Sequence, residues 1–558
     1  MLSEHQADMA VVRSQCGQCS VGCGIRAMTG ADRTMSIEGD ATHPANGGLL
    51  CPQVRMLDSG GQLDGRLLHP VVDGRRQGWD RAVAQIAQRL AGTIARHGSG
   101  SVALHIGGGL LTEDLYVVNK LMKGFLGSAH ILGPSATAAG RAQKAAFGED
   151  VMPAAYEDID RADLILMVGS HLATRHPVLM DRVQAAREAR GALLVVLADD
   201  AADPDIDADL LLPIAPGSAA RLIGGLLLHC HDGRATDGAF MAQHLHVPDG
   251  FWATLRPSHD LWSIARICGL APASIRAFYD LWAGRGAAVT LYPDNDGDIA
   301  SAVIDLHLAT GRIGRPGAAP FALSGMANGM GAREVGCVAG HLAAHLDFAP
   351  DAIADTARFW GARAMVSGPG LEGPELIDAM QAGEIKALWS IGAERDGARL
   401  RQARAAVPLS IRSTTRAEER ADGWTILLPS PHWVEKDGTL TGMDRLVSRQ
   451  RRLFDLPGEA RPDWWALTKV AQAMGWGDTF HYERPADIYR EHARLSAYRN
   501  EGKRLFNLRR HASISNPAYA ELTPWRWGEV PFDEGRFATQ DRRAHLIPIA
   551  GQADAAIP

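Results

Sequence analysis

Four cysteines near the start of the chain have a spacing that suits metal coordination. Cys16, Cys19, Cys23 and Cys51 form the pattern C-x2-C-x3-C-x27-C. Four thiolates brought together bind either a [4Fe-4S] cluster or a structural zinc ion. Zinc sites usually pair two short cysteine knuckles, whereas here three cysteines share one loop and the fourth is alone. This arrangement favours the iron–sulfur cluster over zinc.

The composition is that of a globular protein with several domains. The chain has 558 residues, of which 46% are hydrophobic and 22% charged, and its net charge is -7. A dedicated nucleic-acid surface is expected to be basic, so we expect no nucleic-acid partner. Seven cysteines in so long a chain do not make a disulfide scaffold, and Cys268 follows an apolar helical pattern typical of core packing.

No membrane span or export signal is expected. No apolar run in the sequence approaches the roughly 18–20 residues that cross a bilayer. The opening segment, "MLSEHQADMAVVRSQC", has neither a basic stretch followed by an apolar one nor a twin-arginine pair. We therefore expect a cytoplasmic protein.

Buried strands and amphipathic helices alternate along most of the chain. Apolar runs of strand length are "SVALHIGGG", "RADLILMVGS", "GALLVVLADD", "AAVTLYPDN", "IKALWSIGAE" and "WTILLPS". Helical periodicity is seen in "WDRAVAQIAQRLAGTIARHG" and in "RPADIYREHARLSAYRN". This alternation predicts α/β layers with mainly parallel sheets.

Glycines and polar residues follow several of these strands. They stand in Gly169-Ser170-His171, Asp199-Asp200, Pro293-Asp294-Asn295 and Gly392-Ala393-Glu394. Ligands of open parallel sheets bind in the crevice beyond the carboxyl ends of the strands, so these residues are candidates for a binding site. The alternative is that the glycines only form turns.

The four cysteines lie in the segments "CGQCSVGCGI" and "IEGDATHPANGGLLC". These segments, and others along nearly the whole chain, resemble the molybdopterin oxidoreductases. These enzymes carry a molybdenum ion on two pterin guanine dinucleotides. Further segments are similar, in their usual order, to assimilatory nitrate reductase catalytic subunits: "RLLHPVV", "AFGEDVMPAAYEDIDRADLILMVGS", "HLATGRIGRPG", "NGMGAREVG", "EKDGTLT" and "PGEARPDWW".

The resemblance implies a small N-terminal [4Fe-4S] domain followed by two Rossmann-like α/β domains. The expected divisions are residues 10–65 for the iron–sulfur domain, 66–135 and 320–470 for a discontinuous α/β domain, 136–319 for the second α/β domain and 471–558 for a helical tail. The family adds a C-terminal domain that closes over the dinucleotides, and we expect the given sequence to stop where that domain would begin.

The resemblance also implies the positions of the metal-site residues. Cys16, Cys19, Cys23 and Cys51 would hold the [4Fe-4S] cluster. Gln53 stands where the family usually has a lysine between the cluster and a pterin. Nitrate reductases of this family ligate molybdenum through a cysteine shortly before "AFGED", and alignment from that motif places Ser135 there. The alternative is a Gly-Pro-Ser turn that binds no metal.

Further residues are expected, by resemblance, to contact the molybdenum bis-molybdopterin guanine dinucleotide. They lie in loops after strands: Gly169, Ser170, His171, Gly217, Ser218, Gly325, Met326, Gly392 and Glu394. Several family features are replaced, since "ADDAADPD" lacks the usual arginines and Ala219 stands where an aspartate usually accepts from guanine.

Two functions follow from the resemblance. The first is a nitrate reductase, which would reduce nitrate to nitrite by oxygen-atom transfer with electrons passing through the [4Fe-4S] cluster. Its electron donor would be a ferredoxin, a flavodoxin or an NADH-dependent reductase subunit. The alternative is a diverged, non-catalytic relative that keeps the cluster as an electron-transfer or scaffold subunit and binds no molybdenum.

Overall fold

The computed structural model describes residues 10–57, 61–133, 135–169, 172–199, 206–362, 364–392, 397–529, 531–532 and 535–548. The strands in this part of the chain are β1 (Ala10–Gln15), β2 (Gly24–Thr29), β3 (Met35–Gly39), β4 (Val71–Val72), β5 (Arg75–Arg76), β6 (Val102–Ile106), β7 (Ile131–Leu132), β8 (Leu164–Val168), β9 (Leu193–Ala198), β10 (Leu210–Pro213), β11 (Leu245–His246), β12 (Ala288–Pro293), β13 (Ala319–Leu323), β14 (Ala387–Ile391), β15 (Leu409–Thr414), β16 (Ile426–Pro429), β17 (Gly438–Thr441), β18 (Leu446–Gln450), β19 (Trp525–Arg526) and β20 (Ala544–His545).

The helices cover the faces of the sheets. They are α1 (Trp79–His97), α2 (Thr112–Asn119), α3 (Ala138–Phe147), α4 (Tyr156–Arg161), α5 (Leu172–Arg175), α6 (Pro177–Arg190), α7 (Ala219–Asp232), α8 (Gly238–His244), α9 (Phe251–His259), α10 (Leu261–Cys268), α11 (Pro272–Ala283), α12 (Gly297–Ala309), α13 (Gly329–Val335), α14 (Pro350–Trp360), α15 (Gly373–Gln381), α16 (Ala398–Arg404), α17 (Asp463–Ala471), α18 (Pro485–Ala497) and α19 (Asn516–Ala520).

The larger sheet has seven strands in the order β5-β4-β16-β15-β14-β6-β7. The five strands from β16 to β7 run parallel, and β4 and β5 add an antiparallel edge. The sheet combines residues 71–132 with residues 387–429, so two distant parts of the chain build one layer.

The second sheet has five parallel strands in the order β10-β9-β8-β12-β13. All five residues of β8, "LILMV", are buried, as expected for a strand covered by helices on both faces. The last strand of this sheet is β13, Ala319–Leu323. It crosses the boundary that we predicted between residues 319 and 320. The other predicted domain boundaries stay predictions.

Two small antiparallel sheets and a parallel pair, β11-β20, complete the fold of the described residues. One is β1-β2-β3, which contains the segments on either side of the first three cysteines, and the other is β17-β18-β19. The α/β class with mainly parallel sheets is confirmed, and the six predicted strands and two predicted helices are all present. Within the described part of the chain, no helix combines the length and the apolar character needed to cross a membrane.

The stability of the five-stranded sheet should depend on its central strand. Leu166 of β8 is fully buried and lies between Val195 and Thr290 of the neighbouring strands. Leu166→Ala should lower the free energy of unfolding by about 2–5 kcal/mol, because it leaves a cavity that the packed layer cannot fill. Urea unfolding followed by circular dichroism measures this.

Leu211→Ala on the edge strand β10 is the matched control. Leu211 is 42% exposed, so this variant should change the free energy of unfolding by about 0.5 kcal/mol or less. Equal effects of the two substitutions would contradict the assignment of β8 to the centre of the core.

Candidate functional site: a cysteine loop on the rim of a crevice

The first three cysteines lie in one tight loop between β1 and β2. The loop is closed by the backbone amide of Cys16, which donates to the Cys23 carbonyl at 2.8 Å. Gly22 has a φ of +67°, and a Cβ there would collide with the Gln15 side chain, which itself donates to the Gly22 carbonyl at 3.1 Å. Only glycine fits such a position, so the tight turn of the loop depends on Gly22.

The surroundings of the cysteines disfavour free thiolates. Burial, and then repulsion from the neighbouring cysteines, raises the pKa of the Cys16 thiol to about 12. The same causes raise the pKa values of Cys19 and Cys23. Backbone amides of Gln18 and Val21 partly offset this by hydrogen bonding to the sulfurs of Cys16 and Cys19. Clustered, buried thiolates with amide donors are suited to a cationic iron–sulfur core, which supplies the missing positive charge.

The two metal alternatives require different arrangements of the sulfurs. A zinc ion requires its sulfur ligands about 2.3 Å from a single point. A [4Fe-4S] cluster binds each thiolate through a different iron, so it suits sulfurs that are further apart. Among the described residues, which include all four cysteines, no group of three His, Cys, Asp or Glu side chains is placed to hold a metal ion.

The cysteine loop is attached to the end of the five-stranded sheet. The Ser20 hydroxyl donates to the carbonyl of Ser324, which directly follows β13. The Tyr156 hydroxyl donates to the Val21 carbonyl at 2.9 Å, and the Met443 amide donates to the Ser20 carbonyl at 2.9 Å. The loop therefore lies at the carboxyl ends of the strands, where parallel sheets bind ligands.

Glu435 joins the cysteine domain to the seven-stranded sheet. Its fully buried carboxylate accepts from Arg33, in the β2–β3 turn, at 2.5 Å and from Arg66, which precedes β4, at 2.7 Å. The neighbouring Lys436 ammonium donates at 2.8 Å to the carbonyl of Gly109, which follows β6. The "EKDGTLT" segment thus contacts both the cysteine domain and the edge of the crevice.

The threonines of the same segment continue these contacts. The Thr441 amide donates to the Asn328 side chain at 2.8 Å, and its hydroxyl donates to Glu334 at 2.8 Å. The Asn328 side chain also donates to the Leu110 carbonyl at 2.9 Å. The loops after β6 and β13 are therefore held to β17 by one buried amide.

A rim of open glycines follows the strands of both sheets. A Cβ at Gly108, Gly109, Gly169, Gly217 or Gly325 would meet no atom within 4 Å. These positions leave room for a ligand to approach the backbone amides, as the phosphates of dinucleotides do at parallel sheets. Gly392 differs, because a Cβ there would lie 2.8 Å from the Leu110 side chain. The rim therefore fits the dinucleotide portion of a pterin cofactor.

The remaining predicted site residues have varied environments. Ser135 is exposed in the loop between β7 and α3. Gln53 is exposed in the helical turn that follows Cys51. Ser218 is buried and its hydroxyl donates to the Ala215 carbonyl at 2.6 Å, and Met326 is half-buried. Ser170, His171 and Glu394 lie outside the described residues.

Sequence reasoning missed the buried charges that support this site. Arg333 donates to Asp150 at 2.7 Å, and both side chains are buried. Burial is the largest influence on the pKa of Asp150 and acts to raise it, but the Arg333 guanidinium, with His345 and His341, holds that pKa below its ordinary value. Asp150 ends the "AFGED" segment and Arg333 lies in "GAREVG". Both motifs were noted from the sequence, but no local signal pairs two residues that lie 183 positions apart.

Comparison with known proteins identifies the family. The model of molybdopterin oxidoreductases matches residues 66–473, and that of the molybdopterin oxidoreductase Fe4S4 domain matches residues 9–59. The chain belongs to the molybdopterin oxidoreductase family. The family expected from the sequence is thus confirmed, and so are its cofactors, a [4Fe-4S] cluster and a molybdenum-pterin group.

Two curated relatives and one solved structure add detail. The chain is 39% identical to a nitrate reductase of Klebsiella oxytoca over 98% of its own length and 64% of the relative. It is 36% identical to a nitrate reductase of Shewanella frigidimarina over 97% of its length and 62% of the relative. The chain thus spans less than two thirds of either enzyme. Acetylene hydratase from Pelobacter acetylenicus shares the fold, with a TM-score of 0.74 at 17% identity over 96% of this chain and 77% of that one.

Removal of one loop cysteine should abolish cluster binding. Cys23→Ala leaves three thiolates, so we expect iron and sulfide in anaerobically purified protein to fall from about four per chain to near zero. Cys268→Ala is the control, because Cys268 is buried beside Ser218 and far from the loop in sequence. Loss of iron in both variants, or in neither, would contradict the assignment.

The Asp150–Arg333 pair should be essential to the stability of the crevice. Arg333→Met leaves a buried carboxylate without its partner, so the free energy of unfolding should fall by about 3–5 kcal/mol at neutral pH. Arg399→Ala, which breaks an exposed pair with Asp378, should cost at most about 1 kcal/mol. Urea unfolding compares the two.

The pH dependence provides a second test of this pair. Because the pKa of Asp150 is lowered in the folded protein, its contribution is present above the ordinary aspartate pKa of about 3.9 and is lost as the pH falls through the lowered value. The wild-type protein should therefore lose part of its stability in that acid range, and Arg333→Met should lack this loss. An identical acid profile in both proteins would contradict the pairing.

Proposed function

We propose that the protein is a molybdenum-dependent oxidoreductase that reduces nitrate to nitrite, with electrons entering through the [4Fe-4S] cluster. The observation that carries this proposal is the bond from Ser20 of the cysteine loop to Ser324 on the crevice rim. It attaches the candidate electron carrier to the edge where the pterin cofactor would bind. The two nitrate reductases described above support the choice of nitrate.

The residues proposed to hold the cofactors form two groups. Cys16, Cys19, Cys23 and Cys51 would bind the cluster, with Gln53 beside it. The open glycines of the rim would take the dinucleotides through their backbone amides, and Ser135 would supply an oxygen ligand to molybdenum. When bound, the molybdenum-pterin group supplies the oxygen-atom transfer chemistry. The protein binds it, orients it and connects it to the electron source.

The partner proposed for this site is a one-electron donor. A ferredoxin, a flavodoxin or an NADH-dependent reductase subunit in the cytoplasm would deliver electrons to the cluster. Cys19 and Cys51 are only partly buried, whereas Cys16 and Cys23 are buried. The cluster would therefore approach the surface on the side of Cys19 and Cys51, and we expect the donor to dock there.

Metal analysis and a nitrate assay test the proposal together. Protein purified anaerobically from molybdate-supplemented cells should contain about four irons and one molybdenum per chain. It should also form nitrite from nitrate with reduced viologen as the electron donor. Growth with tungstate in place of molybdate is the matched control, and it should abolish nitrite formation while the iron content stays unchanged.

Two results would contradict the proposal in different ways. Iron without molybdenum would favour the alternative, in which the chain carries a cluster as an electron-transfer or scaffold subunit. Molybdenum without nitrite formation would keep the cofactor and exclude nitrate as the substrate.

A further inference from the structure

Asp294 lies between the candidate metal-ligand loop and the end of β13. None of the cofactor-binding roles proposed above involves it. It directly follows β12, the strand that pairs with both β8 and β13. Its carbonyl accepts from the Ala139 amide at 3.0 Å, in the first turn of α3, and this turn begins just after Ser135. Its own amide donates to the Leu323 carbonyl at 3.3 Å. Asp294 is thus fixed between the candidate metal-ligand loop and the end of β13.

The same residue is connected to the cysteine loop. The Asp294 side chain interacts with Ser324, whose carbonyl accepts from the Ser20 hydroxyl. Ser20 lies between Cys19 and Cys23. One continuous series of contacts therefore runs from the cysteine loop through Ser324 to Asp294 and on to the start of α3.

The surroundings of Asp294 suit a carboxyl that holds a proton. The side chain is half-buried, and two charged groups act on it: Arg333, which already pairs with Asp150 at 2.7 Å, and Asp150 itself. Burial is the main reason that the pKa of Asp294 lies above its ordinary value, and repulsion from Asp150 adds to it. Ser324 and Arg333 oppose this shift without cancelling it.

We infer that Asp294 is the proton donor of the crevice, which protonates the oxygen that nitrate loses. This role rests on the proposed nitrate reduction. The net reaction takes nitrate, two protons and two electrons to nitrite and water, so one N–O bond breaks and two O–H bonds form. The electrons come from a one-electron donor through the cluster. The carboxyl of Asp294 gives one proton to the departing oxygen and is reprotonated from solvent at the open crevice, and the second proton that completes the water molecule also comes from solvent.

The sign of the pH dependence follows from this role. Asp294 must be protonated to act, so kcat should fall as the pH rises through its raised pKa. Asp294→Asn cannot donate this proton, and kcat should fall about 10²-fold or more, the usual effect of removing a general acid. Its alkaline limb should also disappear. Asp294→Glu keeps a carboxyl and should restore part of kcat with a shifted limb.

The experiment uses the molybdenum-loaded protein with nitrate and reduced viologen, and records kcat and KM against pH. Asp298→Asn is the matched control, because it removes an exposed carboxylate of the neighbouring helix α12 and should leave the profile unchanged. A second readout does not depend on turnover. Infrared difference spectra against pH should show a protonated carboxyl band in wild type and in Asp298→Asn that is smaller by one carboxyl in Asp294→Asn.

The outcomes distinguish the role of Asp294 from the proposed nitrate reduction. A wild-type kcat and alkaline limb in Asp294→Asn, or an unchanged infrared band, would overturn the role of Asp294 and leave nitrate reduction standing. Loaded wild-type protein that forms no nitrite would overturn the proposed function and this role with it. Should Asp294→Asn fail to bind molybdenum, the infrared spectra of the molybdenum-free proteins decide, because a protonated carboxyl band of wild-type size in that variant excludes Asp294 as the donor.

Discussion

The carboxylate of Glu435 is fully enclosed, and the arrangement of the domains depends on its two partners. A buried carboxylate costs several kcal/mol unless cations and further donors surround it. Arg33 comes from the cysteine domain and Arg66 from the start of the seven-stranded sheet, so both must converge on one point. Because Lys436 next to it reaches Gly109, the same short segment fixes the position of the crevice rim. The cysteine loop is thereby held against the ends of the strands.

Around this junction, polar contacts hold the loops in place, and the two buried sheets support them. The two parallel sheets place open glycines at their carboxyl ends, and Asn328 and Thr441 hold the loops that follow them. The Ser20–Ser324 bond then places the cysteine loop on the same edge. The cysteine loop and the glycine rim are therefore adjacent, as electron transfer between the two proposed cofactor sites requires. The position of the cysteine loop thus depends on side chains that form bonds between distant parts of the chain.

Local sequence signals predicted the elements well and the contacts between them poorly. The cysteine spacing gave the cluster loop, and apolar runs such as "LILMV" gave the strands, because both depend on neighbouring residues. Asn328 and the Asp150–Arg333 pair could not be found this way, since their partners lie more than a hundred residues away in the chain. The role of Ser218, which the resemblance implies, stays a prediction; its hydroxyl donates to the Ala215 carbonyl in its own turn.

We expect the cysteine cluster and the molybdenum-pterin group to occupy adjacent positions on one crevice. Electron paramagnetic resonance of the anaerobically reduced, loaded wild-type protein tests this directly, because two nearby unpaired spins interact magnetically. The molybdenum signal should be split or relax faster when the cluster is reduced than when it is oxidised. A molybdenum signal that is the same in both states of the cluster would contradict this arrangement.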